Sequence, residues 1–201
     1  MTWLKHMFSN VDKGKYAEII TLCWSLWRSG NDLIWNQKST MPHVEGDGAT
    51  VWVKPKQNLV EVSVDAAVFE DRGGVGFVFV ARNSDGELIE ARAVVHPHLV
   101  APVVAEAMAF KEALSWMDAR GWHESIIKSD CLPMVQAVRS KVPMRSYFGL
   151  IIEECWRLLQ RLSKITLFFV KQSANMVAHQ VVRESYFLSG PIIYIGVLFL
   201  F

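Results

Sequence analysis

Cysteine is scarce in this chain, and so is net charge. Three cysteines, Cys23, Cys131 and Cys155, stand apart among 201 residues with no CxxC pair. A zinc site or a disulfide framework is therefore not indicated, and a reducing compartment, nucleus or cytoplasm rather than the secretory route, is expected. With 21 Lys and Arg against 20 Asp and Glu, the formal charge is +1, so the chain carries no global signature of a nucleic-acid binder, and such contacts must come from local patches. The opening MTWLKHMFSNVDKGKYAE lacks the apolar core and small-residue cleavage site of a signal peptide. The apolar run GPIIYIGVLFLF falls short of the roughly 20 residues a spanning helix needs. Residues 188–201 read as a strand-like or poorly ordered apolar tail, and no membrane partner is expected. GGVGF at Gly73–Phe77 lacks the GK[ST] ending of a phosphate loop and reads as a turn and strand entry.

What remains is 51% hydrophobic, enough for one domain with a core and an appendage. Ile19, Leu22, Cys23, Leu26 and Trp27 recur at a helical period, resumed at Leu33, Ile34 and Trp35. They define a helical, Trp-rich appendage over 1–36. Residues 37–56 are polar and marked by Gly and Pro, as in a linker, and 57–187 form the main domain. Three strand-like runs follow, Leu59–Phe69, Gly74–Arg82 and Glu87–Val95, with Asp85-Gly86 as the hairpin signal between the last two. Pro102 opens a long helix and Gly121 lies just past its end. SIIKSD is a short strand, CLPMVQAVRS a short helix, YFGLIIEECWRLLQRL an amphipathic helix, KITLFFVK a strand and SANMVAHQVVRES a last helix. The order predicts an α/β fold, a mixed five-stranded sheet of three antiparallel strands and then two parallel ones, with helices on its faces.

Three acids break the pattern. Asp65 sits mid-strand, where Asp is depleted, on the face opposite Val62 and Val64; the plain reading is a half-exposed strand with Asp65 in water. Glu106 aligns with Phe110, Ala113 and Met117 on the helix stripe that packs onto the sheet, where an unpaired charge is costly, or it serves as an early-turn acid. Asp130 ends a strand before a helix, either as an N-cap or at the strand end where ligands bind in α/β sheets. A meander with a helical crossover sets the first and fourth strands side by side, making Asp65 and Asp130 neighbours with Glu106 dipping toward both. Such carboxylates repel and raise one another's pKa, and a hard cation, Mg²⁺ or Mn²⁺, removes the repulsion.

This order of elements, with VSVDAA, AEAMAFKEAL, IIKSDCLPMVQAV and VKQSANMVAHQVVRES, resembles the ribonuclease H-like domain of the plant reverse-transcriptase-associated, retroelement-derived family over residues 58–186. CWSLWRSGNDLIWN resembles the segment that precedes this domain in reverse-transcriptase-derived polypeptides. The resemblance implies a Mg²⁺- or Mn²⁺-dependent endonuclease that cleaves the RNA strand of RNA–DNA hybrids by two-metal hydrolysis, with no small-molecule cofactor. It makes Asp65, Glu106 and Asp130 the metal-binding catalytic acids, with Asp65 bridging both ions.

Two residues depart from the family pattern. Ala66 stands where Gly usually follows the first Asp, and His179 stands where a fourth acid is expected. His179 is then a catalytic substitute that ligates metal or relays a proton, or a structural histidine. Asn175, His179 and Arg183 form one stripe at i, i+4 and i+8. Asn175, Arg183, Lys171 and Arg139 are candidate nucleic-acid contacts, with Lys141 and Arg145 as further bases or as solvated helix ends. The rival readings are a catalytically weakened nucleic-acid-binding module and a retroelement relic with the same fold.

Overall fold

The first strand is covered on both sides. In the computed structural model, which describes residues 47–185 and 192–195, β1 (Val60–Phe69) buries Val62 and Val64 in the main core with Phe77, Phe110, Met117 and Ile127. Glu61, Ser63 and Asp65, on its other face, are only 1%, 2% and 3% exposed. Asp65 therefore does not face water, and the half-exposed reading of this strand is wrong. The appendage 1–36, the first part of the linker, and residues 186–191 and 196–201 lie outside the described residues.

β2 (Gly74–Arg82) and β3 (Leu88–His96) complete an antiparallel meander, and β4 (Glu124–Ser129) and β5 (Lys164–Phe169) run parallel to β1, in the order β5-β4-β1-β2-β3-β6. The five expected strands are present. A sixth, β6 (Ile192–Ile195), comes from the apolar tail and pairs antiparallel with β3. Helices α1 (Pro102–Ala119), α2 (Leu132–Ser140) and α3 (Tyr147–Arg161) lie on the main-core side. α4 (Met176–Glu184) covers the other face of β1 and β2, where Val177, Ala178, Val181 and Val182 pack on Val78 and Val80. None of the described helices is long and apolar enough to cross a membrane.

Local chemistry explains the element ends. Asn83 Oδ1 accepts from the Asp85 and Glu87 amides at 3.0 and 2.9 Å, and Gly86 takes φ 86°, so the hairpin closes where the Asp-Gly pair signals it. Gly76 is required by packing: a Cβ there would come within 2.7 Å of Ser185 Oγ and 2.8 Å of the Phe69 ring. GGVGF is thus a turn and strand entry.

Residues 47–53, which the sequence reads as linker, are strapped along the β5 edge. The Gly48 amide donates to the Phe169 carbonyl at 2.8 Å, the Lys171 amide to Ala49 at 2.8 Å, and Ser173 Oγ to the Thr50 carbonyl at 2.6 Å. Trp52 Nε1 then donates to buried Glu61 at 2.7 Å, while Lys128 pairs with the same carboxylate at 2.5 Å.

Candidate active site

β4 ends opposite β1 at the pair Val64–Ser129, while β1 continues to Phe69. The chain positions just past that pair are Asp65 and Asp130. Here the β4 backbone turns away into α2, opening a gap beside β1, and α1 crosses it with Glu106.

Glu106 meets both aspartates. Burial first, and then the charges of Asp65 and Asp130, push its carboxyl well above the ordinary value of 4.5. Its Oε2 is buried without a hydrogen-bond partner. Asp130 is also raised, by burial first and the charge of Asp65 second, against a hydrogen bond from Asn175 and the charge of His179. Asp65 Oδ1 accepts from the Ala66 amide at 2.9 Å, and Oδ2 lies 3.0 Å from His179 Nδ1. The Asp65 hydrogen bond lifts the His179 pKa above 6.5, against partial desolvation and the positive charge of Arg183. The three acids and His179, separated by up to 114 positions, are thus brought to one place.

The expected nucleic-acid contacts divide. Arg183 is exposed and near His179, and Lys171 is exposed with its Nζ 5.4 Å over the Phe169 ring. Lys141 and Arg145 are exposed as well. Arg139 is exposed but already paired: its guanidinium forks onto Asp47, one branch at 2.6 Å, and donates to the Leu167 carbonyl at 2.7 Å. Asn175 is 1% exposed and spends its amide on the Val64 carbonyl and Asp130, at 2.8 and 2.9 Å. Burial places it behind the acids rather than on a binding surface.

Two site residues carried no sequence signal. Gln172 Nε2 lies 3.2 and 2.8 Å from the two nitrogens of the His179 ring. Asp47 pairs with Arg139 across 92 positions; an Asp beside a glycine in a polar stretch predicts no such partner.

The donor chemistry suits a hard divalent cation: three carboxylates that repel one another, one with a buried oxygen lacking a partner. Among the described residues, no three His, Cys, Asp or Glu side chains already form a ligand cage. Asp65 Oδ2 faces His179 and Asp130 Oδ1 accepts from Asn175, and each of these oxygens keeps a second lone pair that a cation can use.

The sequence profile of a family described as reverse transcriptase-like matches residues 63–185. Among solved structures, a ribonuclease H1 isolated from compost by a metagenomic approach is 16% identical, with 64% of this chain and 95% of that one covered and a TM-score of 0.57. The ribonuclease H1 of the halophilic archaeon Halobacterium salinarum is 14% identical over 64% of this chain and 98% of that one, with a TM-score of 0.53. The compost enzyme in complex with an RNA/DNA hybrid matches at 15% identity, over 62% of this chain and 94% of that one, with a TM-score of 0.55. At these identities the likeness is one of fold. No curated protein matches the chain.

Proposed function

The chain belongs to the reverse transcriptase-like family, and we propose that its ribonuclease H-like domain hydrolyses the RNA strand of RNA–DNA hybrids with Mg²⁺ or Mn²⁺, in a reducing intracellular compartment. One observation carries the reading: Asp65 from β1, Glu106 from α1 and Asp130 from the end of β4 converge on one gap with no Lys or Arg among them, and Glu106 Oε2 is buried and unpaired. That the compost relative was solved with a hybrid adds a fold-level precedent.

Asp65, Glu106 and Asp130 would hold the metal. Bound cations supply charge neutralisation at the phosphate and a water of lowered pKa. Asp65 sits on a central strand buried on both faces, so its position is set by the core. Glu106 and Asp130 approach it from different elements. His179 holds Asp65 Oδ2 and keeps a ring edge at partial exposure, 24%, where it can pass a proton to or from a leaving oxygen. Arg183 and Lys171 offer exposed cations beside the site for the phosphate backbone.

A second reading, a nucleic-acid-binding module with weakened chemistry, draws on a separate observation. His179 occupies Asp65 Oδ2 and becomes more basic there, so a protonated imidazole competes with a cation for that oxygen. A labelled RNA–DNA hybrid separates the two. Cleavage with Mg²⁺ or Mn²⁺ that stops with chelator and with Asp65→Asn supports the enzyme; binding without cleavage in either metal supports the module.

A further inference from the structure

The ladder between β1 and β4 stops one step short of the acids. Past Val64 and Ser129, the Ser129 carbonyl accepts from the Val170 amide at 3.0 Å, and Ser129 Oγ accepts from the Cys131 amide at 3.1 Å. The Val64 carbonyl accepts from Asn175 Nδ2 instead of from β4, and the same nitrogen donates to Asp130 Oδ1. One side-chain amide therefore replaces the missing rung. We infer that Asn175 is the positioning residue that holds Asp130 beside Asp65, a role that rests on the metal-dependent reading proposed above.

Both partners of the Asn175 nitrogen are oxygens that accept. A flipped amide would set its own oxygen against them, so the network fixes the orientation. The side chain is 1% exposed, and its Oδ1 is buried without a partner. A buried polar atom left unpaired calls for an explanation; here the amide is turned by two acceptors that only its NH₂ group can serve together. A serine or threonine has one hydrogen for two acceptors. An aspartate would set a charge against Asp130.

Asn175 reaches further. Its carbonyl accepts from the His179 amide at 3.1 Å, so the residue that ties β1 to Asp130 also starts the turn of α4 that delivers His179 to Asp65. Spacing between the aspartates and the approach of the imidazole are set from one position.

The test uses the full chain with Asn175→Ala, Asp130→Ala and both together, and reads Mn²⁺ binding by electron paramagnetic resonance. Loss of a group that orients a ligand costs about 10- to 100-fold in metal affinity. That loss is expected from Asn175→Ala with Asp130 present, shrinking below about twofold once Asp130 is gone. Equal losses in both backgrounds, or no loss, would overturn the inference. Should the wild type take up no Mn²⁺, the metal reading falls, and positioning is decided by the Asn175 side-chain amide resonances. In the folded wild type these are expected to exchange slowly with water, and Asp130→Ala is expected to shift one of the two protons. Fast exchange, or two protons unmoved by Asp130→Ala, would overturn it even where Asn175→Ala fails to fold.

Discussion

His179 Nδ1 stands 3.0 Å from Asp65 Oδ2 across 114 positions of chain. The pair joins a buried strand to the last helix of the main domain, and it couples the domain's stability to proton uptake.

The pH dependence has a definite sign. Glu106, Asp130 and His179 are all raised in the fold, so the native state holds more protons than the unfolded chain between the ordinary and the raised values. The His179 contribution is fully present below its ordinary 6.5 and is lost as pH rises through the raised value. The raised carboxyls likewise favour the fold at low pH and lose that contribution as pH climbs above about 4.5. Without divalent cation, the melting temperature should fall as pH rises from mildly acidic to mildly basic, as followed by circular dichroism. His179→Asn should flatten the upper part of the curve.

A cation should reverse that trend. At a hundredfold excess over Kd, Mg²⁺ or Mn²⁺ binding only the native state stabilises it by about 2.7 kcal/mol, roughly 5–10 °C for a domain of this size. Calorimetric melting should show this gain at neutral pH, and Asp65→Asn should remove most of it.

Replacing His179 by aspartate supplies a fourth hard ligand beside Asp65. The expected result is a lower melting temperature in chelator, because a further carboxylate joins three that already repel, and hybrid cleavage raised by about tenfold, the scale of a gained ligand-orienting group. A folded, metal-binding variant that cleaves no faster than wild type would remove His179 from the catalytic set.

The strap has its own test. Starting the chain at Gln57 removes Trp52 from Glu61 and Asp47 from Arg139. The buried Glu61 carboxylate then loses a donor, at a cost of about 1–3 kcal/mol. Urea denaturation should find this chain less stable by at least that amount than one starting at Asp47. Equal stabilities would mean that the strap is dispensable.

Much of the domain was legible because local chemistry and global fold agree in it. The Asp85-Gly86 turn, Pro102 as the first residue of α1 and Gly121 after its end mark real ends, and the acids converge because topology places Asp65 of β1 beside the end of β4. The exceptions are residues whose partners lie far away. Arg139 reads from sequence as an unpaired base, yet Asp47, 92 positions earlier, pairs with it. Asn175 shares a polar stripe with His179 and Arg183, yet lies inward because its two acceptors do. Glu61 alternates as a solvent-facing residue should, and is buried because Lys128 and Trp52 neutralise and bond it. The tail's strand pairs with β3, and apolar composition by itself does not name the strand it will join.

The alternation of β1 carries a consequence for how this gene can change. Val64 and Asp65 are adjacent but belong to opposite sides of the sheet, one in the core and the other among the acids. Inserting or deleting one codon between Val60 and Val64 would exchange those sides, driving a carboxylate into the apolar layer and a valine into the site. The same edit between Asn83 and Glu87 alters only an exposed turn. Reading-frame-preserving indels should therefore be found at the hairpin and purged from β1, so that where this sequence tolerates a change in length is decided by the two-residue period of one buried strand.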